Sequence, residues 1–150
     1  MGVRRKAREQ ALQVLFGLEF NQIQANLAVR NFQMAFSDER EPDPYLAKIV
    51  LGVFQNLEEL NAVIRRHSTN WRLERMAIVD KNILRLASYE LFHQEDVPRK
   101  VAINEAIEIA KKYGSEDSPA FVNGVLDRVA LEARGEEVEG AVPSVEADEV

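Results

Sequence analysis

From residue 3 to about residue 131, apolar side chains return every three or four positions, and nowhere do they alternate with period two over a strand length. A chain patterned this way can bury its apolar stripes only by packing helix against helix. Val3, Ala7, Ala11, Val14 and Leu18 mark a first helix over about 3–20. Ile23, Leu27, Phe32 and Phe36 mark a looser one near 22–36. Asp43-Pro44 reads as an N-cap followed by proline at the first helical position. Ile49, Val53, Leu57, Leu60 and Ile64 carry the next stripe, with a break expected near 55–58. Met76, Val79, Ile83, Leu86, Ala87 and Leu91 form the strongest stripe of all. Asp96-Val97-Pro98 interrupts it, and Ile103, Ala106, Ile107 and Ala110 resume it. Gly114 is a C-terminal stop, Ser118-Pro119 a new start, and Val122, Val125, Leu126 and Val129 the last core stripe. The expectation is an all-α fold of about seven helices in two small bundles that meet around residues 60–75.

At 150 residues the chain has room for one domain or two small subdomains. The boundaries expected are an N-terminal subdomain over about 1–60 and a C-terminal one over about 61–131. Beyond lies an acidic tail, 132–150, expected to be disordered because it lacks periodicity and is highly charged. It holds seven acids against Arg134 alone, which accounts for the whole net charge of −6. Residues 1–131 therefore balance, with 18 bases and 18 acids. Within that neutral body Arg4, Arg5, Lys6 and Arg8 precede any acid, so the head is basic and suggests a polyanionic partner.

Catalytic chemistry finds few footholds. With no cysteine, thiolate metal sites, disulfides and thiol nucleophiles are excluded. The seven glycines are scattered singly, so no phosphate loop is present. His67 and His93 stand at no metal-ligand spacing, and no carboxylate pair is placed in an apolar pocket by the sequence. The reading is of a chain that is not an enzyme and carries no cofactor or metal. No apolar run reaches membrane-spanning length and the basic head lacks an apolar segment behind it, so a cytoplasmic location is expected.

Two segments carry binding chemistry. On the first helix Arg4, Arg5 and Arg8 fall within about 100° of arc, and Arg8 leads along one stripe to Leu12, Phe16 and Phe20. Guanidinium forks hold phosphates and aromatic rings stack on unpaired bases. Cations at a helix N-terminus oppose the macrodipole, so their presence there points away from a pure stability role. The second segment is 114–124, a turn leading into a helix start whose backbone N–H groups are free to meet an anion. Asp117 and Phe121 lie in it. Lys111 and Lys112 come just before it. Asn123-Gly124 is an unusual pair inside a helix, and Gly124 is expected to mark a close helix–helix approach.

Arg4 to Phe16, Asp80 to Leu91, Val101 to Gly114 and Phe121 to Asp127 together resemble, in the same order, the blocks of the NusB antitermination family. The likeness covers roughly 4–131. It implies an all-helical, non-catalytic factor that binds the boxA element of ribosomal RNA transcripts together with NusE, a small-subunit ribosomal protein, and so reaches the RNA polymerase elongation complex indirectly. By that likeness Arg4, Arg5, Lys6 and Arg8 match the RNA-binding block, with Phe16 beside it. Asp117 and Phe121 fall in the other RNA-side segment, and Asp80 faces the protein partner. The family often carries tyrosine where this chain has Phe16, which keeps the stacking face and drops a hydroxyl. Two alternatives follow from the same likeness: a homodimer that buries the RNA face, and an accessory domain of the kind attached to ribosomal RNA methyltransferases.

Overall fold

A computed structural model describes residues 2–20, 24, 27–31, 43–69 and 71–135. The described residues are helical nearly throughout. Helix α1 spans Gly2–Leu18, α2 Pro44–Gln55, α3 Leu57–His67, α4 Ile78–His93, α5 Arg99–Tyr113 and α6 Ser118–Arg134. A 3₁₀ turn, Leu73–Arg75, precedes α4, and residues 27–31 form a further helical piece. The rest of the helix expected near 22–36, the loop before residue 43 and the tail after Gly135 lie outside the described residues. Of the stretch read as tail, 132–134 continue α6.

Local chemistry explains the ends. The Asp43 carboxylate accepts the Tyr45 N–H at 2.8 Å, and Pro44 opens α2. At the break between α2 and α3, the Asn56 side chain and backbone both donate to the Gly52 carbonyl. Ser68 Oγ donates to Ile64 O and closes α3. Helix α6 starts at Ser118, not after it; the Ser118 hydroxyl turns back to accept the Ser115 N–H at 2.9 Å. The last carbonyls of α4 run short of helical N–H donors, although Glu90 O still accepts from the Gln94 N–H at 3.0 Å. Arg134 supplies donors: its guanidinium donates to Glu90 O, Leu91 O, Gln94 O and Val97 O.

Two apolar cores form. One gathers Leu46, Ile49, Val50 and Val53 of α2 with Ala7, Ala11 and Leu15 of α1. The other gathers Ile83, Leu84 and Leu91 of α4 with Ile109 of α5 and Leu126 of α6. Three helices serve both. Leu60 of α3 closes the first core and Ile64, one turn on, enters the second. Leu12 of α1 crosses to the second, and Leu86 and Tyr89 of α4 reach back to the first. This is why α4 is buried on nearly every side from Asn82 to Leu91. Each fully buried leucine or isoleucine contributes about 1.5–3 kcal/mol.

The seam between the cores is ionic. Arg8, 3% exposed, donates from Nε to Glu90 Oε2 at 2.8 Å and lies 3.6 Å from Glu105 Oε1. Glu90 is fully buried and also accepts from the Tyr45 hydroxyl. Arg5 grips Glu105 with two donors, at 2.9 and 2.7 Å. One network thus ties α1, α2, α4 and α5. Its two carboxyls shift in opposite directions. Burial pushes Glu90 above the ordinary carboxylate range, against the pull of Arg8 and the Tyr45 hydroxyl. The hydrogen bonds from Arg5 hold Glu105 below that range, against its desolvation.

The close backbone approach is at Gly52, not Gly124. A methyl group on Gly52 would lie 2.2 Å from the Tyr89 ring, whereas one on Gly124 would meet nothing within 4 Å. Gly52→Ala is therefore expected to destabilise the fold by about 1–3 kcal/mol through overpacking, although alanine is the better helix former; urea unfolding measures it. For Glu105, a lowered native pKa gives stability that is present above the ordinary value of 4.5 and is lost as pH falls through the native value. Glu90, being raised, contributes with the opposite slope. Glu105→Gln should accordingly flatten the loss of stability below pH 4.5, seen as urea midpoints that change less with acid than in the parent.

Candidate nucleic-acid interface

The basic head is not four equivalent free cations. Lys6 is exposed and makes no ion pair among the described residues. The Arg4 side chain is 47% exposed; its guanidinium sits 4.0 Å over the Tyr45 ring and 3.8 Å from Asp96. That geometry combines a cation–π contact with a long, solvated ion pair, so much of the guanidinium stays open. Arg5 is partly exposed, and its fork is already turned to Glu105. Arg8 departs from the sequence expectation. Its guanidinium is enclosed between Glu90 and Glu105, out of reach of a phosphate, because the helix face that carries it also carries buried Leu12.

The far end of α1 presents aromatics. Phe16 and Phe20 are 39% and 68% exposed, and their rings lie 5.3 Å apart. Both continue the stripe that carries buried Arg8 and Leu12, yet both lie at the surface. Twelve residues of helix separate Arg4 from Phe16, about 18 Å along the axis.

The 114–124 segment meets α1 from the side. Glu9 accepts from Lys112 Nζ at 3.1 Å and from the Tyr113 hydroxyl at 3.2 Å, one turn beyond Arg5. These bonds hold the C-terminal end of α5, and the turn after it, against the head. Asp117 is exposed at the N-cap of α6 and makes no capping bond with its side chain. Phe121 is half-buried and meets Trp71 edge-on, ring centres 6.2 Å apart. Lys111 pairs with Glu108 on its own helix. The structure thus brings Arg4, Arg5 and Lys6 together at one end of α1, gathers Asp117 and Phe121 on the next helix start, and leaves Arg8 inside.

Asp80 stands apart, in the first turn of α4. It is half-buried, and its Oδ1 is enclosed without a hydrogen-bond partner. Beside it, Lys81 and Arg85 converge on Glu19, at 3.4 and 2.7 Å, and Asn82 joins them. Burial raises the Glu19 carboxyl, but the bonds from Arg85 and Asn82 and the charges of Lys81 and Arg85 outweigh it and hold the group below the usual range. The cluster borders a cavity of about 370 Å³ between α1, α2 and α4, lined by Leu15, Leu18, Val53 and Phe54. Sequence reasoning did not find this cluster, nor Trp71 or the buried carboxylates. The signals were a glutamate at position 90 inside an apolar stripe and a tryptophan in the polar stretch after α3. Among the described residues, no cluster of three or more metal-ligating side chains occurs. No described helix is long and apolar enough to cross a membrane.

Comparison with known proteins agrees with this architecture over nearly the whole helical body. The transcription antitermination protein NusB of Sorangium cellulosum is 49% identical over 130 residues, covering 87% of this chain and 93% of the relative. The solved NusB of T. maritima superposes with a TM-score of 0.74 at 38% identity, covering 86% of this chain and 91% of that one. A structure of antitermination factors NusB and NusE in complex with dsRNA matches with a TM-score of 0.77 at 25% identity, covering 88% of this chain and 98% of that one. Residues 5–131 fit the NusB family model, and the chain belongs to the NusB family.

Proposed function

We propose that this protein is a non-catalytic transcription antitermination factor that binds boxA-type single-stranded RNA of ribosomal RNA transcripts jointly with NusE. The observation that carries the reading is the match, across nearly the full helical body, to a NusB solved with NusE and dsRNA. The exposed cations at the start of α1, the exposed aromatics at its end and half-buried Phe121 on α6 supply complementary chemistry. In this reading Arg4 and Lys6 contact phosphates, and Arg5 adds a third positive charge through the edge its fork leaves open. Phe16 and Phe121 offer faces to unpaired bases, and Asp117 accepts hydrogen bonds from base or ribose donors. Arg8 contributes only by holding α1 in place. The factor works in the cytoplasm, at the elongating RNA polymerase that NusE links it to.

The neutral body and the internal use of two head arginines leave a small positive field. Affinity for RNA alone is therefore modest, and NusE, docked beside the head, extends the contact track and makes the second contact intramolecular. RNA and NusE then strengthen each other's binding by the same factor.

Two exposed cations contribute about 0.7 each to the single-strand salt slope. The double variant Arg4→Ala/Lys6→Ala should flatten the slope of log affinity against log salt by about 1.4 and keep its helicity. Duplex RNA of the same sequence serves as the competing ligand, and an unchanged slope on the single strand would move the phosphate contacts elsewhere. Asp80, half-buried in the first turn of α4, is the acid proposed to meet a basic group of NusE. Asp80→Ala should weaken NusE binding by about 1 kcal/mol at a solvated rim, measured by calorimetry with folded variant.

A further inference from the structure

Gly124 sits inside α6, where glycine costs about 1 kcal/mol relative to alanine. No neighbouring atom needs the space: a Cβ there would meet nothing within 4 Å. The open position faces a shallow groove of about 190 Å³, lined by Ser68, Trp71, Phe121, Gly124 and Arg128 among others. Pockets for drug-sized ligands run from about 300 Å³ upward, so this one suits a single ring system.

The groove wall is Trp71, 58% exposed. An indole left this open forgoes a large share of the burial that tryptophan ordinarily gives a core. It is held in place all the same, edge-on to Phe121 at 6.2 Å and with its N–H backbone group bonded to Ser68 O at 3.0 Å. Its surroundings are cationic. The run from Arg65 to Arg75 holds four arginines against one acid, Glu74. Arg65 and Arg66 are paired, with Glu74 and Glu132. Arg72 and Arg75 are exposed and form no ion pair among the described residues. Arg128, across the groove, points its fork at the His67 carbonyl at 2.7 and 3.1 Å and remains exposed. An exposed aromatic ring flanked by unpaired arginines is the arrangement that holds a base by stacking and its phosphate by charge.

We propose that this groove is a base-stacking subsite for single-stranded RNA, with Trp71 as the platform, Gly124 as the open floor and Arg72 as a phosphate contact. The proposal rests on the RNA-binding reading above and extends the RNA track past Phe121, around the end of α3. A duplex cannot use the site, because its bases are already stacked within the helix.

Trp71 is the only tryptophan of the chain, so its emission reports the groove directly. Single-stranded boxA RNA, end-labelled, is titrated into the full chain with NusE present, following RNA anisotropy and Trp71 emission in parallel samples, with NusE-only emission subtracted. The subsite predicts that Trp71 is quenched with the same midpoint as the anisotropy change, and that duplex RNA leaves it unchanged. Trp71→Ala and Gly124→Leu should each weaken binding roughly 5- to 100-fold. Gly124→Leu removes a glycine from a helix at a position where a Cβ meets nothing within 4 Å, so its helicity and unfolding midpoint should not fall, which separates groove blockage from misfolding. Trp71→Phe keeps a stacking face and should recover part of the loss. If RNA binds but emission is unchanged and both variants bind as the parent does, the groove proposal fails and the RNA-binding reading stands. Emission that shifts with protein concentration before RNA is added assigns the groove to a second copy and overturns the proposal. Absence of any RNA binding overturns both.

Discussion

The buried guanidinium of Arg8 is the constraint on which the arrangement of helices depends. It lies between Glu90 on α4 and Glu105 on α5, and all three side chains are buried. Apolar contact is tolerant of sliding, so two adjoining cores would define the angle of α1 only loosely. A charged fork is not tolerant. A shift of α1 by one residue would carry Arg8 away from Glu90 and leave two charges desolvated and unpaired, at a cost of several kcal/mol. Tyr45 donates to the same carboxylate and pins α2 to the same point. One interaction therefore sets the register of the first core against the second.

That constraint also shapes the binding surface. With Arg8 and most of Arg5 committed inward, α1 is anchored one turn from its start. The exposed Arg4 and Lys6 are then displayed from a rigid base and not from a frayed end. Glu9, binding Lys112 and Tyr113, keeps the turn into α6 in step with the same helix. The exposed cations of α1 and the aromatic faces on α1 and α6 are thus held at fixed spacing. Preorganisation of this kind lowers the ordering cost of binding a flexible single strand.

Much of this was legible in the sequence. Period and punctuation located α1, α2, α4, α5 and α6, the break at Asn56, and the Asp43-Pro44 start, because these depend on neighbours within a turn. The match of three C-terminal blocks pointed to the family. What was not legible depended on distant partners. Arg8 looked like one more cation of a solvated head, since Glu90 lies 82 residues away and only the fold brings it near. Phe16 and Phe20 fit an apolar stripe, but no helix among the described residues buries them. A helical glycine often marks a close contact, the expectation for Gly124; here the close contact belongs to Gly52 and the Tyr89 ring. Arg134 looked like a lone base in an acidic tail, and its carbonyl partners at the end of α4 were beyond any local pattern.

The most direct test of the account is a double-mutant cycle on the buried pair, read by urea unfolding at neutral pH. Arg8→Met leaves buried Glu90 with only the Tyr45 hydroxyl, and Glu90→Leu leaves buried Arg8 with only the longer contact to Glu105, so each should cost about 3–5 kcal/mol. The double variant replaces the pair by apolar side chains and should recover much of that loss, giving a coupling of about 2 kcal/mol or more. Losses that simply add, or an Arg8→Met variant as stable as the parent, would contradict the claim that this pair holds the two cores in register.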